Sequence, residues 1–507
     1  VSRQQIGMKQ LAYAGFVLAF VYAFPFFGAM HSANEMPRIY LTEEIVDHGT
    51  FRLDARWGEM AQGSTFDVAT TPDGHRYSNK APGASFVAVP AYLGVQAWHR
   101  LFGGAPSLAE VTWACRFVAA TLPTLLFLLA FRGLARRFAP APSADGALVA
   151  LAFGSMVYPY ALLFFSHALA MASAGGAFAI AVPLARATVR QPRAAALSVG
   201  FLSGFAVLAD YQAAIALAGV GVYLACQSRH RARDLSLAAL GGLPPAVALG
   251  IYHTACFGAP WRTGYAFAVD PAHRHGALGI VGPNAAALAQ ALVAPDNGLL
   301  VLMPWVVLAV VGAVPLLRDR ATRAEAAVAA GVGLAYVLFV GSLVPEFGRA
   351  GWSVGPRYMA CALPFLGWLA ARGLDVVDAR PAARTAAHAL VLVGVIVMVV
   401  AGTTFPHWPT TFANPLYEVS FWLLRHGYAP HSLGTWIGLR GLPSLLPLYG
   451  VIALLFVALL GRGERGRLAT LAIAAVAAVL LVGAIGLVPH PAPKDKTSYL
   501  ERVWEPR

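Results

Sequence analysis

FVAVPAYLGVQAWHRLF, Phe86 to Phe102, is apolar enough to tempt a membrane span, and the sidedness of every later segment turns on how it is read. Pro90 interrupts the run and His99-Arg100 close it. Counting it as a span would put the Arg132, Arg136, Arg137 cluster outside and invert every later basic loop. It therefore reads as an amphipathic or half-inserted helix against the outer leaflet.

The rest of the chain supports that choice. Of 507 residues, 58% are hydrophobic and 12% charged, with a mean hydropathy of +0.62. Soluble proteins are about one quarter charged. Apolar runs predict thirteen spans: 11–30, 113–131, 146–163, 169–185, 195–210, 213–226, 236–253, 298–317, 325–343, 357–373, 386–403, 444–460 and 468–488. The first reads as a retained helix rather than a cleaved leader. The net charge of +13 collects on one side, where 20 basic residues face 7 acidic ones in short turns, while the remainder balances. That is the positive-inside bias, with a cytoplasmic N-terminus, and it gives no reason to invoke nucleic acid. Cys115, Cys226, Cys256 and Cys361 have no paired spacing and read as buried small hydrophobes.

The expected organisation is one membrane domain, 1–507. Outer connections fall at 31–112, 254–297, 344–356 and 404–443, with an outer tail at 489–507. The large connections on one face suit an enzyme that works there. Two short runs meeting at Asp210-Tyr211-Gln212 predict paired helices turning at the outer surface, where Asp210 needs water or a polar partner.

Two charged clusters in the first outer loop carry the chemistry. Asn34-Glu35-Met36-Pro37-Arg38-Ile39-Tyr40 follows the first apolar run, and Tyr77-Ser78-Asn79-Lys80-Ala81-Pro82-Gly83 precedes Phe86. Glu35 sits where partial burial tunes a general base. Arg38, one helical turn on, and Lys80 are cations for a lipid phosphate, although Lys80 also fits a snorkelling anchor. Glu43, Glu44 and Asp47 read as a solvated loop. Arg357 begins an apolar helix, where an unpaired charge is expensive, so it is the second phosphate ligand. Further candidate substrate contacts are Asn34, Tyr40, Tyr77, His167, Asp210, Tyr211, Arg262, Glu346, Arg349 and Tyr358. No histidine pattern makes a metal site, so neither a cofactor nor a divalent cation is assigned. P-loop, Rossmann and serine-hydrolase motifs are missing from the sequence.

A first helix, then acidic-Glu-x-Arg-Tyr, then an aromatic residue and Lys-Pro some forty residues later is the pattern of polyprenyl-phosphate-sugar-dependent glycosyltransferases of the GT-C fold, and this chain resembles it. The protein O-mannosyltransferases and the aminoarabinose transferases of lipid A are the groups it is similar to. Asn34-Glu35-Met36-Pro37-Arg38-Ile39-Tyr40, Tyr77 to Pro82 and Gly355-Pro356-Arg357-Tyr358 carry the likeness. It implies an all-α polytopic fold in a bacterial inner membrane, with the active site on the periplasmic face. The partners implied are the lipid bilayer, a polyprenyl-phosphate sugar donor, and a glycan, lipid or protein acceptor. The family has Asp where this chain has Asn34, and Asn is no general base. The role then passes to Glu35, with Asp210 and Glu346 in reserve. A transporter or flippase of a lipid-linked anion, and a noncatalytic glycan-lipid binding subunit, are the rival readings.

Overall fold

The computed structural model describes residues 3–25, 32–62, 67–344, 351–460 and 465–489. The chain is an all-α, multi-pass membrane protein, with two small two-stranded ladders at one end of the bundle. Nine helices among the described residues are long and apolar enough to cross a membrane, and four shorter apolar helices accompany them. The helices used below are α1 (Arg3–Val21), α2 (Met36–Asp47), α3 (Gly83–Phe102), α4 (Leu108–Phe138), α5 (Ala141–Ala152), α6 (Ser166–Ala185) and α7 (Pro192–Ala209). They continue as α8 (Ala214–Gln227), α9 (Arg231–Phe257), α10 (Val307–Arg318), α11 (Arg323–Val340), α12 (Leu363–Asp378), α13 (Pro381–Gly402), α14 (Leu442–Leu460) and α15 (Arg465–Ile485).

Phe86 to Phe102 lies within α3, which falls outside the spanning set. Its exposed side chains include Trp98, Leu101 and Phe102, while Ala84, Ala88 and Tyr92 face the protein. Asp47 holds α3 onto α2 by accepting from Tyr92 Oη at 2.8 Å and Gln96 Nε2 at 2.6 Å. The expected solvated loop is therefore structured. Glu43 and Glu44 are buried and share Arg56, at 3.1 and 3.3 Å.

Three expected spans end or break early, one of them, 298–317, at Met303 between the short helix Leu299–Leu302 and the helix Pro304–Arg318. The run 11–30 is helical only to Val21. Ala23 and Phe24 (β1) then pair antiparallel with Ser432 and His431 (β4), and residues 26–31 lie outside the described set. Pro25 explains the stop, since it disfavours helical geometry at Phe24. The run 146–163 starts earlier, as α5, and breaks after Ala152. Gly154 sits at that break with its carbonyl accepting from Trp305 Nε1 at 2.6 Å, and only a short turn, Val157–Ala161, follows. The pair meeting at Asp210 is present as α7 and α8, joined by a tight turn at Tyr211–Ala213. Of the four cysteines, Cys226 is exposed rather than buried.

At the other end of the bundle, several basic turns are knitted to acids. Arg132 grips Asp145 with two bonds of 2.6 and 3.1 Å, and Arg186 meets Glu325 at 2.7 Å.

Glycines let two helix pairs, α7 with α9 and α10 with α12, approach to backbone contact, as small residues do in membranes. A Cβ on Gly312 of α10 would lie 1.9 Å from Leu369 O, and one on Gly373 of α12 would lie 2.0 Å from Leu308 O. The contact is reciprocal, so α10 and α12 lock together. Gly373→Ala must push two backbones apart and is expected to cost about 1–3 kcal/mol. The lowered midpoint should show in thermal unfolding of the purified protein in detergent, and an unchanged midpoint would contradict the contact.

Candidate functional site

Six separate stretches of chain converge on one narrow cleft. It is lined by Asn34 and Arg38 at the head of α2, Lys80 and Ala81 from the turn before α3, and Ser166 and His167 at the start of α6. Ala209, Asp210 and Tyr211 between α7 and α8, Tyr265 from the loop after α9, and Arg357 and Tyr358 ahead of α12 complete the wall. The space they enclose is about 10 Å³, near the minimum for one water.

Local chain geometry explains each placement. Arg38 reaches one turn back to the carbonyl and side-chain oxygen of Asn34, and its other nitrogen donates to Ser166 Oγ at 2.9 Å. Strands β2 (Val68–Thr70) and β3 (Arg76–Ser78) form a hairpin around Pro72-Asp73-Gly74, with Gly74 in the left-handed region at φ +86. That hairpin brings Asp67 beside Lys80, with Oδ1 2.8 Å from Nζ, and Asp67 Oδ2 accepts from Asn34 Nδ2 at 3.2 Å. Gly264 packs on the backbone of Asn79, where a Cβ would fall 2.6 Å from Asn79 Cα. This close approach lets Tyr265 sit under Lys80, whose Nζ is 5.4 Å from the ring centroid. His167 Nδ1 pairs with Asp210, while its buried Nε2 has no hydrogen-bond partner.

The electrostatics leave one cation in excess. Arg38, Lys80 and Arg357 face Asp67 and Asp210. Lys80 has a direct carboxylate partner; Arg38 and Arg357 have none among the described residues, and the Nε of each is buried without a hydrogen bond. The Arg357 guanidinium instead lies over the rings of Phe165 and Tyr358. Burial pushes the Lys80 pKa below its ordinary value, Asp67 opposes that, and Arg357 and Arg38 add to it. Burial would raise the Asp67 carboxyl, but Lys80, Arg357 and Arg38 together hold it below the usual range.

Glu35 is turned away from this cleft. Its carboxylate is fully buried and accepts from Arg116 Nε and Nη2 at 2.8 and 2.9 Å and from the Phe164 backbone N–H at 2.6 Å. His407 Nε2 stands 3.2 Å from it. Burial favours its protonated form, but Arg116 and His407 outweigh burial and drive its pKa well below the carboxylate range. A carboxylate with its lone pairs taken and its proton affinity lowered is a poor base. The contacts of Glu35 are those of an anchor for the start of α2, where the sequence leads to an expectation of a partly buried base.

The other expected residues divide. Asn34, Arg38, Lys80, His167, Asp210, Tyr211, Arg357 and Tyr358 meet at the cleft. Tyr40 lies instead against Arg56, and Tyr77 packs edge-on to Phe257. Arg262 is exposed. Glu346 and Arg349 lie outside the described residues. Asp67 and Arg116 are functional neighbours that the sequence reading misses. The Pro72-Asp73-Gly74 turn was the available signal for Asp67, because a hairpin there sets residues 67 and 79 side by side. For Arg116 the signal was a lone charge within an apolar helix. Among the described residues no group of three or more His, Cys, Asp or Glu side chains is placed to hold a metal ion.

No protein-family model matches the chain, and no curated protein does. Solved structures similar to it include ArnT from Cupriavidus metallidurans in the apo state, at 17% identity and a TM-score of 0.47 over 95% of this chain and 76% of that one. The same protein bound to undecaprenyl phosphate is similar at 14% identity and a TM-score of 0.45, over 94% and 77% of the two chains.

Two measurements check this geometry. Glu35→Ala strands the buried Arg116 guanidinium and should cost about 3–5 kcal/mol in unfolding stability, with partial recovery when Arg116→Met is added. Burial, the largest influence, pushes Glu43 up to about 7 despite Arg56. Between its ordinary pKa of 4.5 and about 7 the folded state therefore holds a proton that the unfolded chain has released. Stability should fall as pH rises through that window, and Glu43→Gln should flatten the slope in thermal melts taken across it.

Proposed function

We propose that the chain is a glycosyltransferase of the GT-C kind, taking a sugar from a polyprenyl phosphate at the extracytoplasmic face. The observation that carries this reading is the cleft itself: three buried cations from separate parts of the chain, one in excess over the acids, beside a histidine with a free ring nitrogen. Lys80, Arg357 and Arg38 would hold the donor phosphate, with the phosphate taking the place of Asp67 on Lys80. Asp210 accepts from His167 Nδ1 and so leaves the Nε2 lone pair to act as base. In the transfer, His167 Nε2 takes the proton of an acceptor hydroxyl as its oxygen bonds the anomeric carbon. The bond from that carbon to the phosphate oxygen breaks, and its electron pair leaves with the polyprenyl phosphate. Attack opposite the leaving group inverts the anomeric centre. Cations already in place stabilise the charge growing on the phosphate, usually the largest electrostatic demand of such a step.

Lys80→Ala and Arg357→Ala should each lower sugar transfer about 10²–10³-fold, and His167→Ala should lower it about 10²–10⁴-fold with donor binding retained. Transfer of labelled sugar in reconstituted vesicles, with folding verified by gel filtration, is the measurement. Wild-type transfer by folded Lys80→Ala and Arg357→Ala would sink the reading. Donor binding without transfer in the native chain would favour a noncatalytic binding protein. Because the Lys80 pKa is pushed down, donor affinity should fall as pH rises toward 10.5, and Lys80→Arg should move that loss to higher pH.

A further inference from the structure

A second polar pocket lies at the far end of α12. Arg357 sits ahead of this helix and Asp378 ends it, so the two pockets are about 30 Å apart along one rod. Asp378 meets Arg467 of α15, Nη2 to Oδ2 at 3.1 Å, and Arg384 of α13 at 3.8 Å. His388 is one turn beyond Arg384 and faces the same pocket, with Ser143 opposite. Two guanidiniums therefore share one carboxylate. The Nε atoms of both arginines and Nδ1 of His388 are buried without hydrogen-bond partners, and His388 is 7% exposed. Unpaired guanidinium donors around an excess positive charge are costly unless an anion completes them.

The pocket adjoins an apolar groove of 540 Å³ walled by α13, α14 and α15. Leu392, Val399, Ile452, Phe456 and Leu471 line it. The two spaces share a boundary: the His388 ring meets Phe456 edge-on at 6.5 Å, Leu392 is one turn from His388, and Leu468 follows Arg467. A cationic mouth at the end of an apolar channel, on the end of the bundle where the basic turns gather, matches a phosphate headgroup joined to a hydrocarbon chain.

We infer that Arg384, Arg467 and His388 bind the phosphate of an anionic membrane lipid, with one of its chains in the groove between α13, α14 and α15. The site is separate from the cleft at Lys80 and does not depend on what that cleft does. Native mass spectrometry of the full detergent-purified chain tests it, titrating phosphatidylglycerol, phosphatidylcholine of the same chains, undecaprenyl phosphate and inorganic phosphate in parallel. Phosphatidylglycerol should outcompete phosphatidylcholine, and Arg384→Ala with Arg467→Ala should weaken it about fivefold per arginine removed. Ile452→Trp, which fills the groove and leaves the charges, should weaken it too and covers the case in which the arginine variant fails to fold. Lys80→Ala should leave it unchanged. Undecaprenyl phosphate binding that survives Lys80→Ala and falls with the arginine pair supports the same site with a polyprenyl chain. Equal retention of phosphatidylcholine, inorganic phosphate binding as tightly as the lipids, or lipid binding indifferent to both variants would overturn the proposal.

Discussion

The buried pair of Glu35 and Arg116 is the constraint on which the rest of the polar end depends. An ion pair sealed from water contributes little net stability, because desolvation offsets most of the attraction. Its effect is on position. Glu35 accepts from α4 through Arg116 and from the Phe164 backbone ahead of α6, with His407 against it from the 404–415 stretch. Three distant parts of the chain thus fix the start of α2, and Asn34 and Arg38 on either side of Glu35 are presented to the cleft. Moving Glu35 by an ångström would leave a charge unpaired, so the arrangement is stiff where the cleft needs it to be.

The cleft was partly legible in the sequence because charge is rare in this chain. A cation or acid beside an apolar run must have a polar reason to be there, and that argument picked out Arg38, Lys80, Asp210 and Arg357. It could not tell which side of a helical turn each group would face. Glu35 and Arg38 are neighbours on one turn, yet one points into the protein and the other into the cleft. The difference lies in Arg116, 81 residues away, which nothing local announces.

The fold was legible for a related reason. Apolar runs must be helical in a bilayer, since no water is there to satisfy the backbone. Breaks inside those runs were harder to see. Pro25 and Gly154 both end helices where composition alone runs on, Gly154 through its carbonyl bond to Trp305 on a distant segment. Glu43, Glu44 and Asp47 show the opposite failure: a charged run looked solvated, but Arg56, Tyr92 and Gln96 arrive from elsewhere and bury it.

The Asp67–Lys80 contact has a kinetic side. Any anion that enters the cleft must compete with a tethered carboxylate that never diffuses away. Such a built-in competitor weakens the ground-state grip on the incoming group, and it is also present to reclaim the lysine the moment that group loosens. Its local concentration is fixed by the β2–β3 hairpin rather than by the solution. A site made this way sets its own ceiling on the residence time of any anion that enters it.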